Sequence, residues 1–220
     1  MKFKLLLTSL ACLIILGLNS CASWGTKSPK LSGTQQAEKA SLTMELVEGD
    51  IKLLILHIST TNSALQSLVQ TEQIDFEKAY ADYVATYDAT SATAEQFFAN
   101  TEIQNQQIRA YFDQWHEQGA TYTNPEVQLL SEQRLVELSA VYANIAEANV
   151  GVLGALNEYI TTTAEIKKYL STDLTTKGID VIKPVAQSVI YNGISLKSLL
   201  ELLYSSITVF RTELSPLAVQ

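Results

Sequence analysis

The chain has 220 residues, 47% of them hydrophobic, with 15 Lys and Arg against 23 Asp and Glu. The formal charge is −8, and it becomes −10 once Lys2 and Lys4 of the first four residues are set aside. An acidic body with no basic cluster excludes nucleic acid as a partner, because phosphate binding needs gathered Lys and Arg. With charged residues at only 17%, much of the surface falls to Thr, Ser, Gln and Asn, and the apolar fraction suffices for one sizeable core.

The N-terminus reads as an export signal over residues 1–20. Met1-Lys2-Phe3-Lys4 is a short basic segment, and Leu5 to Leu18 is an apolar run of fourteen residues. That run is shorter than the about 20 residues of a comfortable membrane span. Leu18-Asn19-Ser20-Cys21 follows and resembles the lipobox of bacterial lipoproteins. In that pattern Cys21 is the lipidation residue, because its sulfur is the nucleophile that takes the lipid. Asn19 departs from the small residue usual at its place. The alternative is a secretory signal cut near Ala22, with Cys21 discarded. Cys12 lies within the signal, so the mature body carries no thiol apart from Cys21. Disulfides, Cys-ligated metals and thiol catalysis are therefore not expected. Ala22 follows Cys21 where an inner-membrane sorting residue would be Asp. That resembles outer-membrane cargo and implies a lipid-anchored protein of the bacterial envelope facing the periplasm.

Residues 21–34 read as a tether of Ser, Gly, Thr, Lys and one Pro without periodicity. Twelve extended residues reach roughly 40 Å. Trp24 belongs either at the lipid interface or to the linker alone.

Residues 35–220 read as a single helical-bundle domain. The first helix is predicted over Gln35–Gln70. Met44, Ile51, Ile55, Ile58, Leu65 and Val69 share one face, and Leu53, Leu54 and Leu56 widen it. Gly49 marks a kink or a close crossing, and Ser59 to Ser63 offers a possible break.

The second helix is predicted over Asp75–Gln118, with a stripe Phe76, Tyr80, Tyr83, Tyr87, Thr90, Ala94, Phe97, Thr101, Gln104, Ile108, Tyr111 and Trp115 at alternating spacings of four and three. Gly119 offers a C-cap. Asn124 followed by Pro125 offers an N-cap with Pro at the first helical position, which makes the second and third helices an antiparallel hairpin.

The third helix carries Leu135, Leu138, Tyr142, Ile145, Asn149, Val152, Leu156, Tyr159, Thr163, Ile166 and Leu170 on one narrow stripe. It reads as the element around which the others gather. Ala140, Ala143, Ala146, Ala148, Gly151, Gly154 and Ala155 on its flanks suit close approach of neighbouring helices.

The fourth helix runs to about Leu214, with Ile182, Val185, Val189, Leu196, Leu199, Leu203 and Phe210 facing inward. Pro184 either starts or kinks it, after a turn holding Gly178, and Pro216 closes it. No alternating strand pattern and no fixed repeat occurs. The expected fold is all-α: an elongated antiparallel bundle of four long helices with coiled-coil-like 3-4 packing.

Little in the chain points to chemistry. Asp113 and His116 share a helical face at ligand spacing, but no Glu-x-x-His is present and the pair reads as surface. His57, among Leu and Ile, reads as a boundary or hydrogen-bonded core residue. No nucleophile elbow and no phosphate loop occurs. No catalytic residue, cofactor or metal site is expected, and the chain does not read as an enzyme.

The tyrosines of the second and third stripes read as core. Thr90, Thr101, Gln104, Asn149 and Thr163 are candidate partners for their hydroxyls, and polar seam positions fix register.

Tyr111-Phe112-Asp113-Gln114-Trp115, Tyr122-Thr123-Asn124-Pro125, Ser131 to Leu138, and Ala146-Glu147-Ala148-Asn149 with Val152-Leu153 resemble the bacterial family known as domain of unknown function 2959. A further segment of that family is matched only loosely, by Ile166-Lys167-Lys168-Tyr169-Leu170. The resemblance implies an exported helical protein and no defined activity.

Two roles fit these expectations. One is a lipid-anchored envelope protein whose bundle is structural or binds a protein partner. The other is a periplasm-facing carrier or chaperone holding an apolar ligand or peptide between its helices. The regular stripes suit a monomer or a homo-oligomer.

Overall fold

The computed structural model describes residues 31–70 and 75–214. The signal, Cys21, Trp24, most of the tether and Pro216 lie outside the described residues. The described chain forms four helices and no strands: α1 (Gly33–Gln70), α2 (Phe76–Gly119), α3 (Pro125–Thr172) and α4 (Thr176–Leu214). At 1.5 Å per residue they are about 57–72 Å long.

Local chemistry sets the helix ends. Ser32 and Gln35 form a capping box: Gln35 N–H donates to Ser32 Oγ at 3.2 Å and Ser32 N–H to Gln35 Oε1 at 2.8 Å. The box starts α1 at Gly33, two residues inside the expected tether. Asp75 caps α2 through Lys78 N–H at 3.0 Å. Asn124 caps α3 through Glu126 N–H at 2.9 Å with Pro125 in the first turn, as the sequence leads one to expect. Thr175 caps α4 by accepting from Gly178 N–H at 3.1 Å.

Two expected end signals differ. Gly119 is the last residue of α2, and the cap is Ala120 in right-handed conformation. Pro184 does not start α4, which begins eight residues earlier and runs through it. Gly178 sits in the first turn of α4, where an added Cβ would lie 2.4 Å from the Asp173 carbonyl oxygen.

The four helices form a closed antiparallel ring. α1 packs on α2 and α4, α3 packs on α2 and α4, and the diagonal pairs do not pack. Register is visible in the side-chain pairs. Thr61–Thr90, His57–Thr93 and Asp50–Asn100 run in opposite senses along α1 and α2. Tyr83–Thr163 and Trp115–Ser131 do the same for α2 and α3.

The interior is made by the 3-4 stripes. Nine of the eleven stripe residues of α3 are buried, and Leu135 and Tyr142 are half-buried. Every stripe residue of α2 is buried or half-buried. α3 is not the central element, however. In a ring of four each helix has two neighbours, and α1 buries the widest face.

Other differences lie at the stripe edges. Leu53 and Leu56 are exposed, and only Leu54 widens the α1 face inward. On α4 the inward residues are Ala186 and Leu200 rather than Val185 and Leu199, because the seam steps by four and then three from Ile182 and from Leu196, not by three and then four. Ala140, Ala143, Ala146, Gly151 and Gly154 are exposed rather than at close crossings, and only Ala148 and Ala155 pack against the core. An added Cβ would meet nothing at Gly49, Gly151 or Gly154, so Gly49 is no crossing point.

α1 is unbroken through Ser59 to Ser63. Ser59, Thr60 and Ser63 turn their hydroxyls back onto preceding carbonyls, so they do not compete with the helix.

Candidate functional site

Two regions of the bundle carry polar chemistry. The first is a layer across its interior. Thr90 donates to the Thr86 carbonyl at 2.9 Å, so its bond with Thr61 at 2.8 Å has Thr61 as donor. Tyr159 reaches across the diagonal and donates to Asn62 Oδ1 at 2.9 Å, and Asn62 Nδ2 donates to the Ile190 carbonyl at 3.1 Å. This chain ties α3, α1 and α4 in one layer. Gly193 makes room for it: an added Cβ there would lie 2.6 Å from Asn62 Nδ2 and 2.9 Å from Tyr159 Cε2.

One turn away, Tyr83 donates to the Thr163 carbonyl at 2.7 Å, and Tyr80 donates to the Lys167 carbonyl at 2.9 Å. Burial pushes the Tyr83 and Tyr159 hydroxyls above their ordinary titration range, so both are hydrogen-bond donors throughout the accessible pH range.

The expected tyrosine partners are only partly right. Thr163 serves through its main-chain carbonyl, Thr90 pairs with Thr61, and Asn62 and Asn105 take hydroxyls that the stripe positions were expected to take. Thr101 Oγ1 and Asn149 Oδ1 are buried without a partner among the described residues.

The titratable side chains sit elsewhere. His57 is half-buried, with Nδ1 2.9 Å from Thr93 Oγ1. Thr93 spends its own proton on the Ala89 carbonyl at 3.0 Å, so the imidazole Nδ1 is the donor. That is the hydrogen-bonded histidine the sequence suggests. Asp113 and His116 are both exposed, and no hydrogen bond joins them among the described residues.

Two buried carboxylates on α1 escaped sequence reasoning. Glu48, 4% exposed, accepts from Arg211 Nε and Nη2 at 3.1 and 3.0 Å and from Thr208 at 3.0 Å. Asp50, 3% exposed, accepts from Asn100 at 2.7 Å, and burial holds its carboxyl above the ordinary value despite that bond. The only signal available was that Glu48 falls four after Met44 and three before Ile51, whereas Asp50 fits neither spacing. Among the described residues no three His, Cys, Asp or Glu are grouped to hold a metal ion.

The second region is a cavity of about 540 Å³ at the end of the bundle where α1 begins, at the α2–α3 turn. Tyr111, Trp115 and Tyr122 supply its aromatic lining, Val127, Leu130 and Leu214 its aliphatic lining, and none of its described lining residues is charged. A ring cluster backs it. Tyr111 meets Phe112 and Trp115 at 5.7 and 5.6 Å between centroids, and Tyr142 meets Phe210 at 5.6 Å.

Trp115 Nε1 donates to Ser131 Oγ at 2.8 Å, which leaves the Ser131 proton without a partner among the described residues. Tyr111 is only 8% exposed, and its hydroxyl likewise has no partner among them. Burial raises that hydroxyl to about 12, so it stays protonated at neutral pH. Beyond this end, outer faces are apolar too: Val136, Val150, Tyr191, Leu202 and Val209 are all exposed. α4 is the one described helix long and apolar enough to cross a membrane, and only a third of its most apolar window is buried.

No family model matches the chain, and neither does any curated protein or solved structure. The described geometry is that of a four-helix bundle with one cross-tied polar layer and an uncharged cavity at the end where α1 begins.

Proposed function

We propose that this is a non-enzymatic lipid-anchored protein of the bacterial envelope, attached through Cys21 to the outer membrane and facing the periplasm. Its bundle serves as a structural or protein-interaction module. The observation that carries the interaction role is the outward face of α3 and α4. There Val136, Val150, Tyr191, Leu202 and Val209 leave large apolar side chains in solvent. Exposed on two neighbouring helices, these side chains offer a partner apolar surface to cover. The anchor rests on the Leu18-Asn19-Ser20-Cys21 segment and the apolar run before it. The resemblance to the exported helical family belongs to the same proposal, as does a homo-oligomeric state.

Intact mass and membrane fractionation of the native protein test the anchor. The expected result is an acylated chain beginning at Cys21, lost from the membrane in Cys21→Ala. A soluble chain beginning after Cys21 overturns it. The interaction role is tested by Val150→Glu with Leu202→Lys. These are expected to leave the melting curve in place and abolish co-purification with an envelope partner or with a second copy.

A carrier role is the second reading. The end cavity favours it, and that places a ligand at the α2–α3 turn rather than along the bundle axis.

A further inference from the structure

We propose that the end cavity binds an uncharged lipid with a single alkyl chain and a hydroxyl-bearing ester head, a monoacylglycerol in chemical class. The inference develops the carrier reading and is independent of the Cys21 anchor.

Size comes first. About 540 Å³ lies within the range of cavities that enclose small ligands. Charge comes second. The described lining residues carry none, and Arg134, whose charge reaches the Tyr111 hydroxyl, is already engaged by Glu213 at 2.5 Å and Glu137 at 3.4 Å. A carboxylate or phosphate head would enter without a counter-charge, whereas an uncharged head loses little.

Unspent hydrogen-bonding capacity comes third. Tyr111, more than nine-tenths buried, and Ser131 each line the cavity with a proton not donated to any described residue. Gln36 Oε1 and Gln114 Oε1 are buried acceptors without a partner among the described residues, but neither glutamine lines the cavity. Gln36 precedes the lining residue Ala37 and Gln114 precedes Trp115. The Gln114 amide is spent on the Leu31 carbonyl. Two donors on an uncharged lining match a head that accepts through the oxygens of an ester and a hydroxyl.

The fourth observation concerns the chain. Exposed Leu31, Tyr122, Val127, Leu129 and Leu130 form an apolar collar along the same end. It gives an alkyl chain longer than the cavity a surface to follow.

The probe is monodecanoylglycerol, titrated below its own aggregation concentration into the full chain. A Trp24→Phe background leaves Trp115 as the one reporter. A saturable shift of Trp115 emission with one lipid per chain is expected. Decanoate, of equal chain length but charged, is expected to bind about tenfold more weakly. Tyr111→Phe removes one hydrogen bond and is expected to weaken binding about fivefold. Leu130→Asp changes an exposed rim residue, so the melting curve stays in place, and it is expected to reduce binding by about tenfold or more.

No saturable response overturns the proposal. So does a response that Leu130→Asp leaves intact, or equal binding of decanoate. Binding seen only in a chain shortened to end at Leu214 also overturns it, because the cavity would then be covered by residues 215–220. Loss of membrane attachment in Cys21→Ala changes none of these outcomes.

Discussion

Asp50 is a buried carboxyl with a neutral partner. Asn100 offers one hydrogen bond at 2.7 Å and no cation among the described residues pairs with it, so burial raises the carboxyl above its ordinary value of 3.8. A folded-state value above the unfolded one binds protons more tightly in the native state. The stabilisation this gives is full below the unfolded value and is lost as pH rises through the folded one. Asp50→Asn is therefore expected to raise the melting temperature at pH 7, on the order of 2–4 °C. It should also flatten the decline between mildly acidic and neutral pH. An unchanged pH profile in parallel thermal melts would show that Asp50 does not carry it.

Glu48 is the opposite case, a buried carboxylate that does have its cation. Arg211→Met leaves that charge unpaired and is expected to cost about 3–5 kcal/mol in urea unfolding. The double change Glu48→Leu with Arg211→Met is expected to recover most of the loss, because an apolar pair of similar size needs no counter-charge. Neither carboxylate could be assigned a partner from the chain alone. Asp50 and Asn100 are 50 residues apart, Glu48 and Arg211 163, and no local pattern links positions so distant.

At the scale of the helix, the glycines divide by what surrounds them. Gly193 faces Asn62 and Tyr159 at distances no Cβ tolerates, whereas Gly49 and Gly154 face open space. Gly193→Ala is expected to destabilise by about 1–3 kcal/mol through overpacking. Gly49→Ala and Gly154→Ala are each expected to stabilise by up to about 1 kcal/mol through helix propensity. Denaturant midpoints of the three variants check both signs.

Helix boundaries and seams were legible because they are local. Asn124-Pro125 encodes the α3 start in adjacent residues, and the Tyr83–Thr90–Phe97–Gln104 spacing encodes a stripe directly. The capping box of Ser32 and Gln35 is equally local, but Gly33 between them reads as linker and hides it. The seam edges were less legible. Leu53 and Leu54, or Leu199 and Leu200, have the same transfer energy. Which of each pair faces inward depends on whether the seam steps by three or by four at that turn, and that is set by the neighbouring helix. The cavity residues were legible only as members of other patterns. Tyr111 and Trp115 continue a stripe, and nothing before Thr123 announces that the stripe ends in open space.

The whole molecule has a firm middle and a looser end. The layer of Thr61, Asn62, Thr90, Tyr159 and Gly193 ties all four helices within one level. The end where α1 begins has an unfilled volume and no such layer, and the unpartnered buried oxygens of the described residues are divided between that end, at Gln36 and Gln114, and mid-helix, at Thr101 and Asn149. Opening free energies rise with buried, satisfied contact. Native-state hydrogen exchange should therefore be slowest at Tyr83, Asn62, Tyr159 and Gly193, and fastest around Gly119–Asn124. Addition of monodecanoylglycerol should slow exchange at Tyr111–Gln118 and leave the middle layer unchanged. The four-helix ring was legible from stripe count and turn signals. The uneven distribution of polar satisfaction along it was not, because it depends on which side chains meet at each level.

The tyrosine ties of α2 have an evolutionary consequence. Tyr80 and Tyr83 bond to main-chain oxygens of α3, at positions that happen to hold Lys167 and Thr163. Any residue that keeps α3 helical presents the same oxygen. The tie thus does not read the side chain at the receiving positions, where burial of Thr163 and the pairing of Lys167 with Asp88 set the limits instead, whereas it does require the donating tyrosines. Coupling of this kind leaves no paired signature: a double-mutant cycle between Tyr80 and Lys167 should show no energy from the hydroxyl. Descendants of this sequence can rewrite one side of the joint and keep it closed.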